Sequence, residues 1–306
     1  MRAYVFPGQG SQTVGMLADV AAEYPVVQEV FAEASEVLGY DLWELVQSGP
    51  AEKLNETQRT QPALLTASVA LFRVLEDQGV DAPEWLAGHS LGEYSALVCS
   101  GAMNFADAVA LVAKRGELMQ EAVPAGVGAM AAVIGLDDAR VEEACAAAAD
   151  DQVVSAVNYN SPGQVVIAGH AEAVERASAA LKEAGAKRVL PLPVSVPSHC
   201  ALMQPAAEKL AVELGKITLR TPNLPVVNNV DVSVERDADD IRDALIRQLY
   251  SPVRWTETIQ YLAQQGVTEV YEIGPGKVLT GLTKRIDKSL QGDAVNSVES
   301  IQKVQS

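Results

Sequence analysis

Two spacings of apolar residues organise this chain. Short continuous apolar runs bounded by glycine and proline read as buried strands. Stretches with apolar residues three and four apart read as helices packed on them. Residues 2–6 are the first such run and enter a glycine-rich loop at residues 7–12. Helical spacing covers about 25–37 and 62–78, with Pro62 suited to a first helical turn. A second apolar run ends at Gly88, and an Ala/Leu-rich helix follows it to Gly101. The Asn104-Phe105-Ala106-Asp107 segment starts another helix, reaching about Gln120. From Gly128 the spacing alternates as strand 129–134, helix 138–149, strand 153–158, strand 164–169, helix 172–184 and strand 187–192. This β-α-β-β-α-β order is the ferredoxin-like unit. Gly185 stands where a helix C-terminus prefers glycine. Beyond it lie a helix at about 205–214, a strand-like run at 226–230 and a helix at 241–249. A further helix, a strand at 269–273 and a final helix carrying Lys284 and Arg285 complete the pattern.

The fold class this predicts is α/β. A large α/β-hydrolase-like domain with a parallel sheet, residues 1–125 and 197–306, carries an inserted ferredoxin-like small domain, residues 126–196. Composition then narrows the function. The net charge of −17 argues against nucleic-acid binding, which needs a positive surface. Any acidic partner must dock on a local basic patch, and Lys187, Arg188, Lys277, Lys284, Arg285 and Lys288 are the candidates. Cys99, Cys145 and Cys200 are far apart and have no metal-ligand spacing, so no metal is expected and the thiols read as structural. The first residues are too short an apolar run for a signal peptide, and no run spans a bilayer. A cytoplasmic protein without membrane contact is expected.

Chemistry concentrates at Gly88-His89-Ser90-Leu91-Gly92, a G-x-S-x-G sequence between a strand and a helix. That context is a nucleophile elbow, which lifts the serine hydroxyl clear of the sheet. The loop at residues 7–12 lacks the third glycine of a dinucleotide fingerprint, since Thr13 stands there, and lacks a Walker lysine. It leaves the Gln9 amide free to approach a substrate oxygen. A serine nucleophile needs a base. Of the three histidines, His89 adjoins Ser90 on a turn that directs it away. His170 ends a small-domain strand and reads as a surface residue. His199, in a proline-stiffened loop, remains. No acid stands out to orient it, so a backbone carbonyl can hold its Nδ1–H. Arg115 is surrounded at helical spacing by Leu111, Val112, Leu118 and Met119, so it lies on a buried stripe. Its charge needs a partner from elsewhere in the fold or from a ligand carboxylate.

Several ordered motifs give the chain a family resemblance. They are Gly8-Gln9-Gly10-Ser11-Gln12, Thr60-Gln61-Pro62-Ala63, Gly88-His89-Ser90-Leu91-Gly92-Glu93, Arg115, and Asn158-Tyr159-Asn160-Ser161-Pro162-Gly163-Gln164. Val196-Pro197-Ser198-His199, Gln248 with Ser251-Pro252-Val253-Arg254-Trp255, and Glu272-Ile273-Gly274-Pro275-Gly276 complete the set. Nearly end to end, the chain resembles the malonyl-CoA:acyl carrier protein transacylases of bacterial type II fatty-acid synthesis. The resemblance implies Ser90 as acylated nucleophile and His199 as base, oriented by the Gln248 carbonyl. It implies an oxyanion hole of the Gln9 and Leu91 amides, and Arg115 as the holder of the malonyl carboxylate. Gln61, Asn158, Asn160 and Ser198 would line the cleft. Malonyl-CoA and the phosphopantetheine arm of acyl carrier protein would be substrates, with no bound cofactor, a transient carrier contact and a monomeric enzyme. Residues alone leave open a serine esterase or thioesterase, in which water resolves the acyl-enzyme, and a non-catalytic acyl-CoA-sensing subunit.

Overall fold

The computed structural model describes residues 1–194 and 196–306. Strands β1 (Arg2–Phe6), β2 (Trp85–Gly88), β7 (Val226–Val227), β8 (Glu269–Ile273) and β9 (Ala294–Val295) form one sheet. Its order is β7-β2-β1-β8-β9, and every neighbouring pair is parallel. Apolar layers cover both faces. Phe6, Leu86 and Ile273 join one large core, while Val5, Ala87 and Val270 join a second core around Trp255. Burial on both sides is why these strands read as continuous apolar runs.

Strands β3 (Gly128–Ile134), β4 (Val154–Ser161), β5 (Gln164–His170) and β6 (Arg188–Pro191) form a separate antiparallel sheet, ordered β4-β5-β3-β6. That order, with helices Asp138–Ala148 and Ala171–Glu183 between strands, is the ferredoxin-like arrangement expected. Both helices close an apolar layer of their own on one face. The other face packs Met130, Val157 and Ala168 against Cys200 and Leu202, beside His199. Strand β4 is also stitched to the larger body. Tyr159 N–H donates to the Val253 carbonyl at 3.0 Å, and Val253 N–H to the Val157 carbonyl at 2.8 Å.

Two expectations need correction. The helix containing Pro62 runs Thr57–Asp77, so Pro62 lies inside it rather than in its first turn. Glu56 precedes that helix, and the polar Thr57–Gln61 turn masked its start because the apolar spacing begins only at Ala63. The run at 226–230 keeps strand form only at Val226–Val227. Asn228 and Asn229 turn their backbones and carboxamides to other partners. Short helices at Ala18–Glu23, Leu42–Ser48, Ala51–Leu54 and Val298–Gln305 were not anticipated. Among the described residues, no helix is long and apolar enough to cross a membrane.

Candidate active site

Three adjacent strands deliver the site from their C-terminal ends, where α/β sheets collect ligands. Strand β1 leads to Gln9, β2 to Ser90 and β7 to Asn229. Phe6 and Gly88 pair across β1 and β2, and Ala87 and Val227 pair across β2 and β7. The elbow glycines are there for space. A side chain on Gly88 would overlap the Gly92 carbonyl, and one on Gly92 would overlap the Phe6 carbonyl. A side chain on Gly8 would stand 2.6 Å from the His89 oxygen and 3.7 Å from Ser90 Cβ, so the first loop lies directly over the serine. Ser90 itself has φ 54°, the left-handed conformation of a nucleophile elbow. For a residue with a β-carbon this costs on the order of 1–3 kcal/mol and is held only by its surroundings.

His199 is also left-handed, at φ 65°. Its Nδ1–H donates to the Gln248 carbonyl at 2.8 Å, and its backbone N–H donates to Leu249 at 3.1 Å. Gln248 ends the helix Ala238–Gln248, and the last carbonyls of a helix lack intrahelical donors. A helix end thus does the orienting that an acid does elsewhere. Because a carbonyl can only accept, Nδ1 carries the proton. The bare Nε2 therefore accepts from Ser90 Oγ–H at 2.7 Å. Burial, then the nearby Arg115 charge, pushes the imidazole down to about 3, so His199 rests neutral.

Arg115 is 1% exposed. Its Nη1 donates to Gln61 Oε1 at 2.8 Å and its Nη2 to Gln248 Oε1 at 3.0 Å. The guanidinium lies 5.2 Å from the Tyr94 ring centre. No carboxylate forms a salt bridge with it among the described residues, and Nε has no acceptor. Two neutral amides and a ring face leave its charge uncompensated by any ion pair, and burial lowers its pKa. Gly116 makes this possible. A side chain there would meet Thr57 O at 2.7 Å, so the two helices approach closely enough for Gln61 to reach Arg115.

Gln61 is 1% exposed, and its Nε2 donates to Thr57 Oγ1 at 2.8 Å. The Gln9 side-chain oxygen accepts from the same hydroxyl at 3.1 Å. The Gln9 and Leu91 amides have no acceptor among the described residues. Asn160 Oδ1 accepts from His89 Nε2 at 2.7 Å, which draws His89 away from Ser90 and onto the small sheet. Asn158 sits at the seam opposite Val253, with its buried Oδ1 unpartnered among the described residues. Ser198 is half-buried beside His199. His170 caps no site. Its Nδ1 accepts the Val153 N–H at 2.9 Å at the end of β5.

Two residues escaped sequence reasoning. Asn229 is wholly buried and bonded to the elbow, and Glu93 accepts the Asn229 N–H at 2.7 Å. Burial pushes the Glu93 carboxyl up to about 7. The available signal was polarity in the wrong place, an Asn pair within an apolar run and a Glu in an apolar helix.

A half-buried serine on an elbow bonded to a buried histidine, two free amides and a parallel sheet with an inserted antiparallel one are the make-up of an acyl transferase domain. The family described as Acyl transferase domain matches residues 3–305. The Malonyl CoA-acyl carrier protein transacylase of Escherichia coli (strain K12) is 71% identical over 294 residues, covering 96% of this chain and 95% of that protein. An acyl carrier protein S-malonyltransferase from Vibrio cholerae O1 biovar eltor superimposes with a TM-score of 0.97 at 65% identity, over 99% of both chains. A malonyl-transacylase solved in complex with its type II PKS acyl-carrier protein gives 0.99 at 62% identity, over 99% of this chain and 98% of that one. The chain belongs to the malonyl CoA-acyl carrier protein transacylases, a family of acyltransferases.

Proposed function

We propose that this enzyme moves a malonyl group from malonyl-CoA to the phosphopantetheine thiol of acyl carrier protein by a ping-pong route through malonyl-Ser90. The observation that carries this reading is the 2.7 Å Ser90–His199 hydrogen bond, with Nδ1 tied to the Gln248 carbonyl. Ser90 Oγ attacks the thioester carbonyl while His199 Nε2 takes its proton. The oxyanion is met by the Gln9 and Leu91 amides. Collapse breaks the C–S bond, and His199 returns the proton to the departing CoA sulfur. In the second half His199 takes the proton of the carrier thiol, which attacks the malonyl-Ser90 ester, and gives it back to Ser90. No metal or bound cofactor enters these steps.

Arg115 gives the donor its selectivity. A malonyl carboxylate supplies the anion that this guanidinium lacks inside the protein. Burial is the larger cause of the depressed His199 pKa, but pairing also offsets the Arg115 repulsion that adds to it, so the correct substrate would strengthen its own base. Asn158, Asn160 and Ser198 would line the substrate's cleft. The carrier's acidic surface would be met by exposed Lys284 and Arg285 on the helix Val278–Ile286, with exposed Lys277 just before it and Lys288 just after it. That helix starts beside the Gln9 loop, since a Cβ on Gly276 would sit 3.6 Å from Ser11. The expected assembly is a monomer.

Intact-mass analysis tests the reading. Malonyl-CoA should add one malonyl group to the parent protein, the group should leave on addition of holo carrier protein, and Ser90→Ala should never take it. A malonyl adduct on Ser90→Ala, or discharge of the parent to water at the same rate without carrier, sinks the proposal.

A further inference from the structure

Asn229 lies two residues beyond β7, and all of its polar atoms are used. Its side-chain Oδ1 accepts from Ser90 N–H at 2.8 Å and from Gln248 Nε2 at 3.3 Å. Its Nδ2 donates to the Gly88 carbonyl at 2.6 Å. Its backbone N–H donates to Glu93 Oε1, and its carbonyl accepts from Arg254 N–H at 3.2 Å. One rigid carboxamide therefore spans the elbow, gripping the backbone before and at the nucleophile.

We propose that Asn229 is a positioning residue for acyl transfer, fixing the left-handed Ser90 backbone and occupying the Ser90 amide so that Leu91 supplies the elbow's free N–H. The geometry excludes a looser role. Ser90 at φ 54° must be held by its surroundings. Among the described residues, the side-chain bonds to the backbone of residues 88–90 come from Asn229 and from Gln248, whose Nε2 donates to the Ser90 carbonyl at 2.9 Å. Gln248 carries His199 on its own carbonyl, so nucleophile and base are referenced to one buried network. An aspartate of the same shape would keep an acceptor for Ser90 N–H but lose the donor to Gly88. The Glu93 carboxylate behind Asn229 fixes its backbone, which keeps the carboxamide from swinging.

The inference rests on Ser90 being the nucleophile. The test uses the full-length protein and two readings of Ser90, single-turnover malonylation by malonyl-CoA and labelling by a serine-directed fluorophosphonate. Asn229→Ala is expected to fold and to lose about 10- to 100-fold in both rate constants, as a displaced reacting group does, with the KM for malonyl-CoA little changed. Asn229→Asp, isosteric and suited to a case where the alanine variant does not fold, is expected to lose a comparable factor. Asn228→Ala is the control. Asn228 is buried next door but, among the described residues, bonds only to the turn at Asp231 and Ser233. It should lower the melting temperature and leave Ser90 reactivity in the folded protein intact. Parent-like labelling of either Asn229 variant overturns the proposal, as does an equal loss in Asn228→Ala. A parent that takes the fluorophosphonate on Ser90 but no malonyl group would refute the proposed function instead, leaving the positioning test valid.

Discussion

Arg115 is a charge dissolved in dipoles. Two carboxamides and the Tyr94 face hold it where water does not reach, and under the proposed function a malonyl carboxylate would be its counter-ion. Arg115→Ala is therefore expected to cut malonyl-CoA transfer by the worth of the lost charged hydrogen bonds, about 1.5–3 kcal/mol or some 10- to 100-fold. Acetyl-CoA transfer should fall less or rise, because removing the positive charge relieves His199. Imidazole NMR should then show the His199 pKa rising from its depressed value, still below the ordinary 6.5 because burial remains the larger cause. Equal loss for both donors, with no His199 shift, would make Arg115 a structural residue. Ser90, His199 and Arg115 were legible one residue at a time, as an elbow serine, a histidine left by elimination and a charge on an apolar stripe. The Gln248 carbonyl behind His199 came with the family resemblance, but the amides that hold Arg115 were not legible, since Gln61 and Gln248 lie 54 and 133 residues from it.

At the scale of elements, the elbow depends on strand and helix crossing with no room for a side chain. Gly92→Ala places a methyl group into the Phe6 carbonyl of the neighbouring strand. It is expected to destabilise the protein by about 1–3 kcal/mol, as overpacking does, and to slow acylation by moving Ser90. Urea midpoints with single-turnover rates check both, and an unchanged midpoint would contradict the packing. Strand and helix periods marked most elements, including the small antiparallel sheet with its two helices. They missed the start of the helix Thr57–Asp77 because a polar first turn has no apolar spacing to read. They overran β7 because Asn229 continues the run in sequence while its bonds lie across the sheet.

For the whole molecule, two buried groups bend the pH dependence of stability in opposite directions. The His199 pKa is depressed in the fold, so its contribution is present above 6.5 and is lost as pH falls towards about 3. The Glu93 pKa is raised, so its contribution is present below 4.5 and is lost as pH rises through about 7. Glu93→Gln keeps an acceptor for Asn229 but carries no charge. Its melting temperature relative to the parent should improve steadily between about pH 5 and about pH 8. A gap that does not move with pH would show that Glu93 keeps one protonation state across that range. Carrier docking belongs to this scale too. Charge reversal at Lys284 and Arg285, both exposed and without a carboxylate partner among the described residues, should weaken transfer to carrier. Acylation by malonyl-CoA should continue unchanged, and unaffected carrier use would place docking elsewhere.

The sequence by itself determined the α/β class, the inserted β-α-β-β-α-β unit and the elbow, because each is written in short-range spacing and in the few residues a tight turn allows. It also singled out His199, by elimination among three histidines, and Arg115, as a charge on an apolar stripe whose partner the residues alone left open. Only the tertiary structure decided what completes them. The amides that hold Arg115 and the Asn229–Glu93 clamp on Ser90 are contacts between distant segments. Such contacts are fixed by which strands pair and which helices approach, and neither is encoded in any local period of the chain.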